Sequence, residues 1–154
     1  MAVMTQIEVK QFAALSTKEL FEIYKLRVAV FVVEQKCYYQ EVDDDDLISY
    51  HVMFKNAEGD LMAYARIIPE ENQSVARIGR VVVNPKYRGG GLGRELVQAT
   101  LDKSKELFPE AAKIVLAGQE YLKYFYHSFG FRDVSDVYLE DNIPHIDMEL
   151  ALKN

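Results

Sequence analysis

The sequence predicts an α/β protein, a mixed β-sheet carrying helices on both faces. Three observations lead there. Strand-like and helix-period runs alternate in the order β-α-(α)-β-β-β-α-β-α-β-β, and layering helices on a sheet is the natural way to bury their apolar faces. Two strand-like runs, Ile48 to Lys55 and Leu61 to Ile68, are separated only by Asn56-Ala57-Glu58-Gly59-Asp60 and read as a hairpin. A third, Ala76 to Val83, leads through a glycine-dense turn into an amphipathic helix.

Taken in order, Ile7 to Phe12 alternates apolar and polar residues and reads as the first strand. Ser16-Thr17-Lys18-Glu19 is a capping box, in which a hydroxyl and a carboxylate satisfy two orphan amides. The helix it opens places Leu20, Ile23, Tyr24, Arg27 and Phe31 near one face, but the β-branched Val28, Val30, Val32 and Val33 disfavour regular helix beyond. Glu34 to Gln40 is read as a second short helix or a loop, and the acidic run Asp43 to Asp46 as a solvated loop. After the hairpin, Pro69 to Ser74 makes a polar turn before the third strand. Gly91 to Phe108 has helical spacing and ends before Pro109. Ile114 to Ala117 is a short strand, Glu120 to Ser128 a helix closed by Gly130, and Phe131 to Tyr138 and His145 to Leu150 the last two strands. In the final one Ile146, Met148 and Leu150 share one face, and His145, Asp147 and Glu149 the other.

The bulk numbers exclude several classes of function. A chain of 154 residues suits a single domain, 1–154, with no linker or repeat dividing it. With 49% hydrophobic and 27% charged residues it has the balance of a folded globular protein rather than a disordered one. A net charge of −6 and the absence of any basic block argue against nucleic acid as a partner. Met1 to Lys10 lacks the basic-then-apolar order of a signal peptide, and the longest apolar run, Val28 to Val33, falls far short of the roughly 20 residues of a membrane span. Cys37 is the only cysteine, so no internal disulfide can form. A cytoplasmic protein with no membrane partner is the expectation.

The chemistry concentrates in Val81-Val82-Val83-Asn84-Pro85-Lys86-Tyr87-Arg88-Gly89-Gly90-Gly91-Leu92-Gly93-Arg94. Four glycines in the five positions 89–93 clear side chains from the backbone. Successive amides there can converge on an anion, and the following helix adds about half a positive charge at its start. Strand, glycine turn and helix N-terminus together make a pyrophosphate site, to which Arg88 and Arg94 can add charge-assisted hydrogen bonds. A nucleotide P-loop would place Lys and Ser/Thr after the last glycine, where Arg94 and Glu95 stand. A dinucleotide fingerprint would need a small residue where Leu96 stands. The bland alternative is a tight turn without a ligand.

Arg88-Gly89-Gly90-Gly91-Leu92-Gly93 resembles the Arg/Gln-x-x-Gly-x-Gly/Ala signature of the GNAT superfamily, the GCN5-related N-acetyltransferases. Tyr124-Phe125-Tyr126-His127-Ser128-Phe129-Gly130-Phe131 is similar to that family's later Phe-Tyr-x-x-x-Gly-Phe block. In the N-terminal half, Leu26-Arg27, Val30-Phe31-Val32-Val33-Glu34-Gln35, Cys37, Tyr39-Gln40 and Asp43 resemble the ElaA branch, as do Ile78-Gly79-Arg80-Val81 and Ile143-Pro144-His145-Ile146 later on.

The resemblance implies the GNAT fold with splayed central strands, acetyl-CoA as donor, and a small-molecule or peptide amine as acceptor; many relatives form homodimers. It implies that backbone groups of Val81 and Val83 hold the pantetheine arm, that the amides of Arg88, Gly89, Gly90, Gly91, Leu92, Gly93 and Arg94 hold the pyrophosphate, and that Gln119 stands where relatives often carry a cofactor-contacting Asn. Gly79 and Gly118 suit a bulge or a close approach. Tyr126 matches the family's general acid; a phenol titrating near 10 stays protonated at neutral pH within reach of a thiol near 8.5. Its plain alternative is a buried aromatic.

No carboxylate lies on Ala76 to Val83 to serve as base, so an ordered water or Glu34, Asp43, Asp46, His51 or His145 must do so. Cys37 has no activating partner in the sequence and reads as buried filler. No metal site is expected. Two rivals remain, a CoA-binding module without turnover and an enzyme acting on another phosphate ligand.

Overall fold

The computed structural model describes residues 5–152; residues 1–4, part of the stretch read above for a leader, and residues 153–154 lie outside it. Eight strands form one sheet: β1 (Gln6–Gln11), β2 (Tyr50–Lys55), β3 (Leu61–Glu70), β4 (Val75–Val83), β5 (Lys113–Gln119), β6 (Arg132–Asp133), β7 (Tyr138–Glu140) and β8 (Ile143–Ala151). The helices are α1 (Thr17–Arg27), α2 (Asp45–Ile48), α3 (Leu92–Leu107) and α4 (Lys123–His127). The sheet order is β1-β2-β3-β4-β5-β8-β6, with β7 also on β8. All pairings are antiparallel except β4 with β5, which α3 joins as a crossover. The mixed sheet read from the sequence is the fold.

Local chemistry explains most elements. The capping box forms as expected: the Glu19 amide donates to Ser16 Oγ at 3.0 Å, and the Ser16 amide donates to Glu19 Oε1 at 2.8 Å. The valine-rich continuation of α1 runs as a π-helix over Val28–Glu34, whose wider turns accommodate β-branched side chains that crowd a regular α-turn. Residues 35–40 carry no helix. Phe131 to Tyr138 is not one strand but two, β6 and β7. Between them Ser135 Oγ accepts the Asp147 amide at 2.9 Å, so a side chain takes the bond that a continuous ladder would have made. Glu120 to Ser128 divides into a 3-10 turn, Glu120–Leu122, and the short α4.

Two apolar layers flank the sheet. One packs Leu96, Val97 and Leu101 of α3 against Val52, Phe54, Ala63, Ala65, Ile67, Ala76 and Ile78, and continues to Tyr126, Ile146 and Met148. The other packs Ile23 and Leu26 of α1 and Val30 against Met53, Tyr64 and Val82. Strand alternation assigns most residues to their layer, with two breaks: one at Met62 of β3, where Phe54 faces Ala63 and Lys55 faces Leu61, and one in β4. There Tyr64 faces Val82 and Arg66 faces Gly79, so two residues of β4, Arg80 and Val81, stand opposite Ala65 alone. This β-bulge, with Arg80 at φ +51°, reverses the parity of the strand. Ahead of it Ala76 and Ile78 face the α3 layer; after it Val81 and Val83 do, while Val82 turns to α1.

The acidic run departs furthest from its sequence reading. Asp46, expected in a solvated loop, is 1% exposed. It accepts two hydrogen bonds from Arg27, at 2.7 and 3.0 Å, and one from Arg66 at 3.0 Å. Asp43 is bidentate to Arg66 at 2.7 and 3.1 Å, and Glu41 pairs with Arg27 and Arg80. Three guanidinium and three carboxylate groups thus neutralise one another under α1. Removing one partner leaves buried charge uncompensated, so Asp46→Ala should lower unfolding free energy by about 3–5 kcal/mol in urea denaturation. Wild-type stability in that variant would show the network to be dispensable.

Candidate functional site

β4 and β5 pair only where Val75, Ala76 and Arg77 face Lys113, Ile114 and Val115. Beyond that point both strands continue, to Val83 and Gln119, without pairing to each other. A cleft of about 1000 Å³ opens in the gap. Its walls include Val81, Val83, Arg88, Gly89, Gly91, Leu92, Gly93, Gln119, Tyr126, Glu34, Asp43 and His145. Most of the residues picked out from the sequence therefore meet at one place. Gly90 and Arg94 are in the same loop but do not line the cleft.

At one end is the glycine turn. Asn84 and Pro85 start a 3-10 turn, Pro85–Tyr87, and Asn84 Oδ1 accepts the Lys86 amide at 3.1 Å. Gly89 and Gly91 then take φ +91° and +80°, conformations a side chain resists, and Gly91 caps α3. The first-turn amides of α3 have no carbonyl one turn earlier to bond, so they are available to an anion. The two arginines do not both point at that anion site. Arg94 donates to Ser128 Oγ at 2.8 Å and stacks over Phe129 at 4.7 Å. Arg88 grips the Glu34 carboxylate through two bonds of 2.8 and 2.7 Å, across the cleft mouth. That contact holds the Glu34 carboxyl below its usual range and the Arg88 guanidinium above its own.

In the middle of the cleft stands Tyr126 of α4, 6% exposed and lying edge-on to Phe125 and Phe131. Burial pushes its phenol up to about 12, the nearby Tyr121 adding to the shift. Gly118 makes the ring's position possible: a Cβ there would lie 2.7 Å from Met148 Cε and 3.2 Å from Tyr126 Cδ2. The close approach expected at this glycine is an approach of the tyrosine itself. Tyr126 and Gly118 belong to the α3 layer, and Gln119 and His145, paired across β5 and β8, to the opposite face.

The candidate bases separate by environment. Asp46 is spent on Arg27 and Arg66, and Asp43 on Arg66 and Arg80. Glu34 is held by Arg88. His51 is fully buried between Tyr64 Oη, at 2.6 Å, and the Asp46 carbonyl, at 2.9 Å. It lines no part of the cleft, which corrects its reading as a candidate. His145 is the exception: its Nδ1 lies 2.7 Å from the Ile143 carbonyl, and it lines the cleft. Cys37 is buried, with Sγ near the Gln35 and Asp141 carbonyls at 3.7 and 3.6 Å and no base bonded to it among the described residues.

Gln119 Nε2 donates to Gln35 Oε1 at 3.4 Å, a contact the sequence did not disclose. Nor did it disclose that Arg80 lines the site from a left-handed bulge position, stacked on Tyr39 at 5.4 Å. Gly79 was the one signal pointing there. Among the described residues no cluster of three His, Cys, Asp or Glu side chains could hold a metal, and no helix is long and apolar enough to cross a membrane.

A strand pair opened beside a glycine-capped helix, with a tyrosine at the opening, has the layout of the GNAT acyltransferase fold, and known proteins of that fold match the chain. Residues 13–152 match the acetyltransferase (GNAT) domain model, and the chain belongs to that family. Within it the chain belongs to the ElaA-like branch. It is 44% identical to protein ElaA of Escherichia coli over 87% of this chain and 88% of that one. A UPF0039 protein of Schizosaccharomyces pombe is 54% identical over 93% of this chain and 95% of its own length. The crystal structure of an acyl-CoA N-acyltransferase from Pseudomonas aeruginosa superposes with a TM-score of 0.89 at 41% identity, covering 96% of this chain and all of the other.

The environment of His51 yields a test of the buried network behind the cleft. Burial pushes its imidazole below the usual value, with the Asp46 carbonyl and carboxylate acting in the opposite direction. The folded pKa is depressed, so its contribution to stability is full above about pH 6.5 and is lost as pH falls below that value. Melting temperature should fall between pH 7 and pH 5 more steeply in the wild type than in His51→Gln. Equal slopes would mean that the ring protonates freely in the fold.

Proposed function

We propose that this chain transfers an acetyl group from acetyl-CoA to an amine by direct attack. The observation that carries the reading is the unpaired stretch of β4, which runs from the bulge at Arg80 to the glycine turn with Tyr126 alongside. Such an edge can take an extended ligand as though it were another strand. Val81 and Val83 would hold the pantetheine arm through their backbone, and the amides from Arg88 to Arg94 the pyrophosphate. The residues fit that donor. The turn is open where side chains would obstruct it, and the cleft is large enough for an extended ligand at about 1000 Å³. The thioester supplies an activated acetyl group. A cytoplasmic setting suits such a donor.

For this chain's part in the chemistry, a backbone amide near Val82 or Val83 would face the developing oxyanion. Tyr126 donates its phenolic proton toward the departing sulfur. Burial that raises the phenol to about 12 keeps it protonated throughout the working range and disfavours a free thiolate in the same dry pocket. Arg88 must exchange Glu34 for phosphate when the donor enters. The ion pair therefore competes with binding.

Three results test this reading. Calorimetry should show saturable binding of acetyl-CoA, weakened in Gly91→Ala, whose side chain resists the positive φ that sets the amides of the turn. Thiol release should appear with at least one member of a panel comprising spermidine, lysine and short peptides with free amino ends. Binding without release from any member would instead favour a CoA-binding module that does not turn over. Tyr126→Phe should lower kcat by about 100-fold or more while leaving the acetyl-CoA Kd within about twofold. An unchanged kcat would remove Tyr126 from the reaction.

A further inference from the structure

We infer that His145 is the general base that deprotonates the acceptor amine, with Glu140 steadying the imidazolium it becomes; this rests on the acetyl-transfer reading above. A carbonyl can only accept, so the 2.7 Å contact to Ile143 O requires Nδ1 of His145 to carry the hydrogen. In the neutral ring that leaves the lone pair on Nε2. Nε2 lies 3.7 Å from Glu140 Oε2, a pair that becomes ionic once the ring takes a proton. The ring is stacked on Tyr138 at 6.3 Å, and the side chain, 12% exposed, lines the cleft. Tautomer, orientation and a counter-charge are therefore fixed in advance.

The placement suits the division of labour. Strand alternation puts His145 and Gln119 on the face opposite Gly118 and Tyr126, so acid and base approach the gap from opposite faces of the sheet. The groups beside the ring are Glu140 and Tyr138 of β7 and Gln119 of β5, with Asp147 accepting from the Tyr138 hydroxyl at 2.6 Å and Asp141 lining the same cleft. Asp43 and Asp46 are gripped by arginine and Glu34 sits beside Arg88 at the cleft mouth, whereas Glu140 is 54% exposed and lies against His145.

The step balances without a further reactant. The amine nitrogen bonds to the acetyl carbon and the carbon–sulfur bond breaks. The proton leaving nitrogen goes to His145 Nε2, and the departing sulfur takes the Tyr126 proton. His145 then releases its proton past Glu140, and Tyr126 regains one, so that a neutral amine and the thioester give an amide and a thiol.

The amine with the fastest thiol release in the panel serves as the kinetic probe. The wild type should show an acid limb in kcat/KM that His145→Gln removes, with a loss of about 100-fold at neutral pH and an acetyl-CoA Kd within twofold. Retention of the limb, or a loss under tenfold, overturns the assignment. Two readouts need no turnover. Nitrogen NMR of the wild type should show Nδ1–H with a bare Nε2 at His145. Diethyl pyrocarbonate should modify His145 in preference to the buried His51, and acetyl-CoA with a bound amine should slow it. An Nε2–H tautomer or an unreactive His145 also overturns the assignment, even if the variant does not fold. Absence of acetyl-CoA binding would instead remove the transfer reading itself.

Discussion

The separation of β4 from β5 is the constraint on which the rest of the site depends. Parallel strands normally stay paired along their length, since an unpaired buried edge leaves amides and carbonyls without partners. Here the pairing stops after Arg77 and Val115, and the bulge at Arg80 follows within a few residues. A non-glycine residue at φ +51° costs about 1–2 kcal/mol. The Arg80 side chain offsets that strain: it pairs with Glu41, donates to the Glu41 carbonyl at 2.9 Å, and stacks on Tyr39. The bulge also reverses strand parity, which turns Val81 and Val83 toward the α3 layer beside the gap.

The ion network under α1 gains a purpose in this light. Arg27, Arg66 and Arg80 share Glu41, Asp43 and Asp46, so the network joins α1, α2 and the bulge into one rigid wall. Buried pairs of this kind add little net stability against an apolar core, while losing one partner leaves a buried charge uncompensated. Through Arg80 the network reaches the bulge that precedes the open edge of β4.

Much of the fold was legible because its signals are local. The capping box, the hairpin turn and the alternation in Ile146, Met148 and Leu150 each act over a few residues, and each formed. The glycine turn was legible for the same reason, since positive φ at Gly89 and Gly91 restricts the choice of residue. What the sequence hid depends on distant partners. Asp46 looks like a solvated acid until Arg27 and Arg66, 19 and 20 residues away, fold over it. The break between β6 and β7 depends on Ser135 reaching Asp147. No local pattern announced that His51 would be sealed in while His145 faced the cleft, because both lie in strands of similar character.

Amide hydrogen exchange with and without acetyl-CoA reads the edge of β4 itself. Exchange should slow in Val81 to Val83 and in Gly89 to Arg94, and change little in β1 and β2 at the far side of the sheet. Unaltered exchange across those two stretches at saturating acetyl-CoA, or protection confined to other elements, would contradict the account.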